Sequence, residues 1–254
     1  FGTWPAVPIR NPISELHDVM RNSPVPGLLR SIEWNLNRGQ RDARLFEVGR
    51  LYRAEGDGYA EPPVLALAAT GSARPPGWNE PARPYDFFQM KGDVSRLLEL
   101  FEWNKLRFER GAGAGYYHPR RSARALVDGV TAARFGELDP ELAAGRKLRQ
   151  PVLIAEIALD RLYQLPLREP RCRPVPRVPS VDSDFSLLLP EGTPFERIVE
   201  AVGQREHLAR LEPVEVFRGE GIPAGKYSLL LRAVWQREDA SLTDEEVNAY
   251  ARGL

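Results

Sequence analysis

The sequence predicts an α+β protein in two parts, each an antiparallel sheet with helices packed on it. Strand patterns turn back on their neighbours through short loops with few helices between them, which favours antiparallel pairing. Apolar residues recur at helical spacing over 26–38 and 86–101. A stretch rich in proline and arginine, 165–181, separates the two parts as a linker. The predicted domains are therefore residues 1–164 and 182–254.

Length, composition and charge exclude several classes of protein. The 254 residues are enough for two ordinary domains with real cores. Basic and acidic residues number 35 each, so no global charge attracts nucleic acid or an anionic membrane. No apolar run approaches the ~18–20 residues of a membrane helix, and the N-terminal residues do not have the pattern of a signal peptide. Cys172 is the only cysteine, which predicts a reducing cytoplasm.

The first predicted helix and strand lie within residues 24–53. Pro26 suits the first turn of a helix, and Gly39 suits the position just past its end. The apolar face of this helix consists of Leu28, Leu29, Ile32 and Leu36. From Ala43 the apolar period changes to two, which is typical of a strand, and Phe46 and Val48 share one face.

The rest of the first part alternates strands with one longer helix and a short helix from Asp139-Pro140 to about Ala144. Asp86 is a predicted N-cap for an amphipathic helix. Asp128-Gly129 predicts a tight hairpin turn within residues 122–135. Further strands are predicted at 64–70, 106–109 and 152–159. The glycine-rich residues 111–115 (GAGAG) have no helix pattern after them, so a flexible link is favoured over a phosphate-binding loop.

The second part has the predicted order strand, helix, strand, strand, helix. Thr193 to Glu196 and Thr243 to Glu246 both fit the capping-box pattern at a helix start. In the longest strand, residues 226–236, Leu229, Leu231, Ala233 and Trp235 alternate with Ser228, Leu230, Arg232, Val234 and Gln236. The order βαββα is the ferredoxin-like pattern without its last strand.

Few residues suggest chemistry. His118, Arg120 and Arg121 fall in one predicted turn and indicate an anion site, although the same residues fit a basic turn before a hairpin. The histidines are not spaced as metal ligands, so no metal site is predicted. No nucleophile with a base and no Gly-x-Ser-x-Gly motif is visible, so no catalytic residue is predicted.

Several short motifs occur in one order along the chain. NPIS (Asn11–Ser14), Met20-Arg21, PGLL, NLNRGQRD and LFEVGRLY are followed by YYHPRRSA, FGELDPEL and QPVLIAEIALD, and then by GEGIPAGKYSL and SLTDEEVN. In this order and spacing they resemble the C-terminal part of the bacterial phenylalanyl-tRNA synthetase β subunit. The match covers a catalytic-like module and a ferredoxin-fold anticodon-binding domain. The other domains of that subunit have no counterpart here, so a fragment and a shortened protein are both open.

The resemblance implies a class II synthetase-like but non-catalytic fold for the first part. It implies that ATP and Mg²⁺ are used in the catalytic α subunit, that this chain binds no cofactor, and that the whole enzyme is an α2β2 heterotetramer charging tRNA-Phe. Leu29, Ile32, Leu36 and Phe87 are the predicted contacts with the α subunit. The same apolar faces also fit an ordinary intramolecular core, and both roles remain open.

The resemblance also places tRNA on the second part. The predicted RNA-binding residues are Arg218, Lys226, Ser228, Arg232 and Gln236, from one face of the longest strand and the preceding loop. A net charge of −6 over residues 182–254 counts against general nucleic-acid binding, since such domains are usually basic. An alternative function is therefore a free-standing binding or regulatory protein that kept the scaffold and left the synthetase.

Overall fold

The chain divides into two compact units, Phe1–Pro170 and Arg171–Leu254. The structure is a computed structural model, and it describes residues 5–14, 18–74, 77–172, 175–238 and 240–252. Within those residues no helix is long and apolar enough to cross a membrane.

The first unit contains twelve strands and four helices among its described residues. In chain order they are β1 (Val7–Pro8), β2 (Val19–Met20), α1 (Val25–Leu36), β3 (Ala43–Arg50), β4 (Arg53–Glu55), β5 (Gly58–Ala60), β6 (Pro63–Thr70), β7 (Ser72–Arg74), β8 (Arg83–Pro84), α2 (Phe87–Leu98), β9 (Leu106–Arg110), β10 (Tyr117–Val127), β11 (Val130–Leu138), α3 (Pro140–Gly145), β12 (Val152–Ala158) and α4 (Leu159–Leu162).

A six-stranded sheet forms the centre of this unit, with the strand order β3-β6-β12-β11-β10-β9. Every neighbouring pair is antiparallel, which confirms the predicted fold class. Helix α1 packs on one face of the sheet, where Leu28, Leu29 and Ile32 meet Ala66 and Ile154. Helix α2 packs on the opposite face, against residues that include Phe135. The sheet is therefore buried on both sides at its centre.

Local signals in the sequence predict the two helix starts and the hairpin correctly. Pro26 lies in the first turn of α1, and Gly39 follows the helix with φ +82°. The Asp86 side chain accepts hydrogen bonds from the N–H groups of Phe88 and Gln89, at 2.9 and 3.0 Å. The two residues between β10 and β11, Asp128 and Gly129, both have positive φ, as a tight hairpin turn requires.

The glycine-rich residues 111–115 are packed rather than free, which differs from the predicted flexible link. Ala112 is 1% exposed and belongs to the core under α1. At Gly113 φ is +73°, and a Cβ there would lie 2.7 Å from Nη1 of Arg134. That guanidinium donates to the carbonyl of Ala112, which ties the segment to β11.

The connection between the units begins with paired residues. Leu167 bridges Phe101, and the N–H of Arg168 donates to the carbonyl of Leu100 at 2.8 Å. The first compact unit accordingly runs to Pro170, and the first strand of the second unit begins at Val181. The residue-level boundaries of the predicted linker, 165–181, stay a prediction.

The second unit consists of β13 (Val181–Pro190), α5 (Phe195–Val202), β14 (Leu208–Phe217), β15 (Lys226–Trp235) and α6 (Asp244–Arg252). Its sheet has the order β13-β15-β14 with antiparallel neighbours, so the predicted βαββα arrangement is confirmed. Leu229, Leu231, Ala233 and Trp235 are buried, and the hydrophobic cores around them include residues of both helices.

The two predicted capping boxes behave differently. At the start of α6 the Glu246 carboxylate accepts from the N–H of Thr243, and the Thr243 hydroxyl accepts from the N–H of Glu246. At the start of α5 the helix begins one residue later than that pattern requires, with Pro194 as its N-cap. The Thr193 hydroxyl donates instead to the carbonyl of Pro190, so this box was wrongly predicted.

Candidate nucleic-acid interface

The three-stranded sheet of the second unit has one face that α5 and α6 do not pack against. We call it the open face. Strand β15 contributes Ser228, Leu230 and Arg232 to it, because they alternate with the buried residues of that strand. Their register partners on the flanking strands are Asp184, Ser186 and Leu188 of β13 and Glu212, Glu215 and Phe217 of β14. Side chains from all three strands thus share one surface.

One end of the open face is apolar and rich in hydroxyl groups. A shallow pocket of about 280 Å³ is lined by Ser186, Glu215, Phe217, Ser228 and Leu230. The hydroxyls of Ser186 and Ser228 lie 3.1 Å apart, and the Phe217 side chain is half exposed. An exposed aromatic ring beside hydroxyl groups is the kind of surface on which unstacked bases stack and form hydrogen bonds.

The other end of the open face holds an arginine that is already paired. Nε and Nη2 of Arg232 each donate to one carboxylate oxygen of Asp184, both at 2.7 Å, and Asp182 lies 3.9 Å away. The hydrogen bonds with Asp184 raise the pKa of Arg232, and the hydrogen bonds from Arg232 lower the pKa of Asp184. The positive charge of Arg232, a predicted RNA contact, is therefore neutralised by Asp184 on β13.

Arg218 is paired in the same way. Its guanidinium donates to both carboxylate oxygens of Glu191, at 2.8 and 3.3 Å, and lies 5.2 Å from the ring centroid of Tyr227. The hydrogen bond with Glu191 raises the pKa of Arg218, while Arg218 lowers the pKa of Glu191. The positive charge of Arg218, the second arginine predicted to contact RNA, is thus also neutralised by a carboxylate of the same unit.

The remaining predicted RNA contacts outside the open face are a neutral glutamine, Gln236, and a lysine, Lys226. The Gln236 amide donates to the carbonyls of Val178 and Arg237, at 2.8 and 3.2 Å. Lys226 is exposed at the start of β15. The structure places Ser228 and Arg232 together on the open face, Lys226 at one end of the same strand and Arg218 in the preceding loop. Their RNA contact stays a prediction.

The four predicted subunit-contact residues lie in or beside the intramolecular core. Leu29 and Ile32 of α1 are 3% and 0% exposed, so the chain's own packing accounts for their burial. Leu36 is half buried beside them. Phe87 stacks on Phe135 with the ring centroids 5.5 Å apart. The interface role of these side chains stays a prediction, while their role in the core is evident.

The residues of the predicted anion site, His118, Arg120 and Arg121, lie within β10, where its pairing with β11 is irregular between Tyr117 and Ser122. Nδ1 of His118 accepts from the N–H groups of Arg120 and Arg121, at 3.0 and 3.1 Å. The Arg121 guanidinium pairs with Glu137 at 2.8 Å. The predicted turn is therefore wrong, because these residues already belong to the first strand of the hairpin. The anion site itself stays a prediction.

The central sheet contains a buried carboxylate that the sequence patterns do not predict. Glu156 of β12 is 1% exposed, and its oxygens accept from the hydroxyls of Ser23, Tyr116 and Tyr117. Burial, and then the charge of Glu156, raise the pKa of both tyrosines. The one available signal was a single Glu inside the apolar run VLIAEIAL. The cluster's hydrogen bonds join β12 to β10 and to the residues before α1.

No cluster of three or more His, Cys, Asp or Glu side chains suited to a metal ion occurs in the described part of the chain.

Comparisons with known proteins place both units. The model described as "Ferredoxin-fold anticodon binding domain" matches residues 176–254, which assigns the second unit to that class of domain. The model described as "Phenylalanyl tRNA synthetase beta chain CLM domain" matches residues 3–159, more than half of the chain. The chain therefore belongs to the phenylalanyl-tRNA synthetase beta chain family.

Curated relatives agree with this assignment. Phenylalanine–tRNA ligase beta subunits from Symbiobacterium thermophilum and Geobacter sulfurreducens are 35% and 32% identical over 94% and 97% of this chain. The beta subunit from Ralstonia nicotianae is 33% identical over all of it. This chain spans only 27%, 31% and 33% of these relatives. A solved pyrrolysyl-tRNA synthetase from Desulfitobacterium hafniense is similar at a TM-score of 0.45 and 17% identity, over 63% of this chain and 52% of that one.

Proposed function

We propose that this chain is the part of a phenylalanine–tRNA ligase beta subunit that scaffolds the catalytic α subunit and holds the anticodon region of tRNA-Phe. One observation carries the proposal: the two family models match in the order module, then anticodon-binding domain, over nearly the whole chain. The alternative of a free-standing regulatory protein is not favoured, because the similar curated proteins are ligase subunits.

The first unit offers an exposed apolar strip for the α subunit. Phe46 and Val48 on the edge strand β3 are 73% and 61% exposed. In the sheet register they lie beside Leu67 and Leu65 of β6, which are only half buried. Exposed apolar side chains that continue a core surface are typical of a protein interface. This strip supplements the predicted contacts Leu29, Ile32, Leu36 and Phe87, which already pack in or against the chain's own core.

The chemistry belongs to the partner in this proposal. Adenylation of phenylalanine and transfer to tRNA take place in the α subunit, with ATP and Mg²⁺ bound there, and two copies of each subunit form the enzyme. The cytoplasm is the proposed compartment, in keeping with a single cysteine. The open face of the second unit takes the anticodon bases by stacking on Phe217 and hydrogen bonding to the serine hydroxyls.

Co-purification tests the scaffolding half. The chain and the α subunit from the same source should elute together from a sizing column. Phe46→Glu should weaken that complex, because it puts a charge into an apolar contact. Tyr59→Glu is a matched control, since Tyr59 is 71% exposed on a different hairpin, β4-β5. An absent complex, or equal effects of the two variants, would reject the strip as the docking surface.

Binding of tRNA-Phe and of an anticodon-swapped tRNA tests the RNA half. The chain should prefer the native anticodon, and Phe217→Ala should reduce that preference by removing the stacking surface, worth ~1–3 kcal/mol per base. Val216→Ala is the control, because Val216 is equally exposed at 47% but alternates to the other side of β14. A chain that binds both tRNAs equally would keep the scaffold role and remove the anticodon role.

A further inference from the structure

A strongly basic groove lies on the first unit, between the end of α1 and the segment that joins α3 to β12. Its volume is about 650 Å³. Four cationic side chains line it, Arg41, Arg146, Lys147 and Arg149, against one acidic side chain, Glu33. We call it the basic groove. The Gln150 amide donates to the carbonyl of Arg41 at 2.6 Å, which connects the two sides.

Three of the four cations are not compensated. Nη1 of Arg146 pairs with Glu33 at 2.7 Å. Arg41, Lys147 and Arg149 are exposed, and none has an acidic partner among the residues that the structure describes. Like charges gathered in a groove repel one another and attract an anion. The groove therefore presents about three free positive charges to solvent.

The backbone at Lys147 is unfavourable for a lysine. Its φ is +56°, in the left-handed region where glycine is preferred. The N–H of Leu148 donates to the carbonyl of Ala143, and the N–H of Lys147 to that of Ala144, which is the Schellman motif at the end of α3. The chain thus has a cation in the groove at the position where glycine would relieve strain.

An aromatic residue of α1, Trp34, directly follows the groove-lining residue Glu33 in the sequence. Trp34 is 56% exposed, and the Arg38 guanidinium lies 3.6 Å from its ring centroid. Arg38 stands between two lining residues, Asn37 and Gly39. A cation stacked on an exposed ring is a surface that accepts a nucleic-acid base as well as a phosphate. This favours RNA over an acidic protein surface.

Charge is divided unequally along the chain. Residues 1–170, the first unit, contain 24 basic and 21 acidic side chains, whereas residues 171–254 contain 11 basic and 14 acidic ones. On the second unit Arg218 and Arg232 are both paired with carboxylates. Phosphate contacts dominate the affinity of RNA-binding proteins. The anticodon-binding unit therefore offers little charge for them, while the first unit has an excess.

We propose that the basic groove binds the phosphate backbone of RNA, namely the tRNA that the proposed function assigns to the second unit. The groove supplies electrostatic affinity that does not depend on sequence, and the open face supplies base recognition. The inference rests on the proposed function for the identity of the RNA. Its contact chemistry, phosphate with arginine and lysine, is independent of the anticodon.

The test is the salt dependence of tRNA binding to the whole chain. Fluorescence anisotropy with labelled tRNA-Phe and anticodon-swapped tRNA should be measured over a range of KCl concentrations, for the wild type and for the variant Arg41→Gln, Lys147→Gln, Arg149→Gln. Because the variant cannot neutralise phosphates at these three positions, the log–log salt slope should fall by about 2 and the affinity by about tenfold, equally for both tRNAs.

A matched variant separates a local from a global charge effect. Arg96, Arg110 and Arg161 are exposed, lie outside the groove, and have no acidic partner within the described ranges. Replacing all three by glutamine removes the same charge and should change the affinity less than about threefold. Equal losses in the two triple variants would overturn the proposal, because the charge would then act from anywhere on the surface.

The outcomes separate the two proposals. If the wild type prefers the native anticodon and the groove variant binds like the wild type, the groove is rejected and the anticodon role stands. If the groove variant loses affinity while the wild type shows no anticodon preference, the groove is supported and the anticodon role fails. If the wild type binds neither tRNA, both fail. A groove variant that binds tRNA normally but no longer co-purifies with the α subunit would reassign the groove to protein contact and reject RNA.

Lys147→Gly provides a second variant, one that relieves the left-handed backbone at this position. Glycine suits the left-handed backbone, so the melting temperature should rise or stay unchanged. The tRNA affinity should nevertheless fall by about two- to threefold, because one cation no longer meets a phosphate. Unchanged affinity together with higher stability would show that Lys147 takes no part in binding.

Discussion

The basic groove and the open face of the second unit use arginine in opposite ways. In the groove Arg41 and Arg149 have no acidic partner in the described part of the chain, and only Arg146 is paired. On and beside the open face, Arg232 and Arg218 each make two hydrogen bonds to one carboxylate. Whether an arginine can meet a phosphate is therefore decided by its spatial neighbours, and the number of arginines in a segment does not reveal it.

The register of the strands explains the difference. Arg232 is directly opposite Asp184 in the antiparallel pairing of β13 with β15, and directly opposite Glu212 in the pairing of β14 with β15. Cross-strand partners lie ~4.5–5.5 Å apart between Cβ atoms, so opposite charges there meet without distortion. The groove cations lie in loops after α1 and α3, where no strand places an acid opposite them.

The largest effect on stability should come from a substitution on the helix-covered face of the second unit's sheet, the face opposite the open face. Leu231 is fully buried on the helix-covered face, whereas its neighbour Leu230 is on the open face. Leu231→Ala should lower the free energy of unfolding by about 2–5 kcal/mol through a core cavity. Leu230→Ala should cost less than about 1 kcal/mol, as expected for a surface position. Urea denaturation of the two variants makes the comparison, and equal losses would mean that the open face is part of a core.

Freeing a paired arginine should make the open face resemble the groove. Asp184→Asn removes the carboxylate that is hydrogen-bonded to Arg232 and leaves the longer contact with Asp182, at 3.9 Å. The affinity for tRNA should rise about three- to tenfold, and the salt slope should increase by nearly one phosphate equivalent. Glu215→Gln is the control, because it removes one acidic charge from the same face without releasing Arg232. If both variants gain equally, general repulsion rather than pairing limits the face.

The same experiment in the groove should give a smaller gain. Glu33→Gln releases Arg146, which adds a fourth free cation to three that already attract phosphate. We expect an increase in tRNA affinity of about two- to threefold and almost no loss of stability, since exposed ion pairs contribute ~0–1 kcal/mol. Anisotropy and thermal melting measure the two quantities. A loss of affinity would show that the Glu33–Arg146 pair shapes the groove rather than weakening it.

Acid should weaken the second unit slightly, because carboxylates hold its charges in place. Hydrogen bonds lower the pKa of Asp184, Glu191 and Glu246 in the folded chain, with Arg232, Arg218 and the Thr243 N–H as the respective donors. A carboxylate with a lowered pKa stabilises the fold above its ordinary pKa, and this contribution is lost as the pH falls through the folded value.

Urea midpoints measured by circular dichroism should therefore be constant from pH 7 to about 5 and fall below about pH 4. The Asp184→Asn variant should show a smaller decrease than the wild type. An unchanged midpoint down to pH 3 would contradict the pairing that separates the open face from the groove.

The local rules that succeeded here need only a few neighbouring residues. The N-cap at Asp86, the hairpin turn at Asp128-Gly129 and the capping box from Thr243 to Glu246 all form as predicted. The alternation of buried residues along β15 is also as expected. Each depends on backbone geometry within four residues or on period two, which are visible in a single sequence.

The features that were predicted wrongly or missed depend instead on residues far apart in the chain. Residues 111–115 contain three glycines, yet Ala112 is buried because Arg134 and the core under α1 hold the segment in place. Glu156 is buried in an apolar run because Ser23, Tyr116 and Tyr117, between 39 and 133 positions away, satisfy its oxygens. Neither outcome is encoded in the local pattern.

By itself the sequence determined the fold class, the two-part organisation, the alternation of faces and the family, because these follow from periodicity, turn chemistry and the order of motifs. Only the tertiary structure decided which charges are free. Ion pairing depends on distances of a few ångströms between residues far apart in the chain, as for Arg232 with Asp184 and Arg146 with Glu33. Those distances exist only once the strands have paired and the helices have packed.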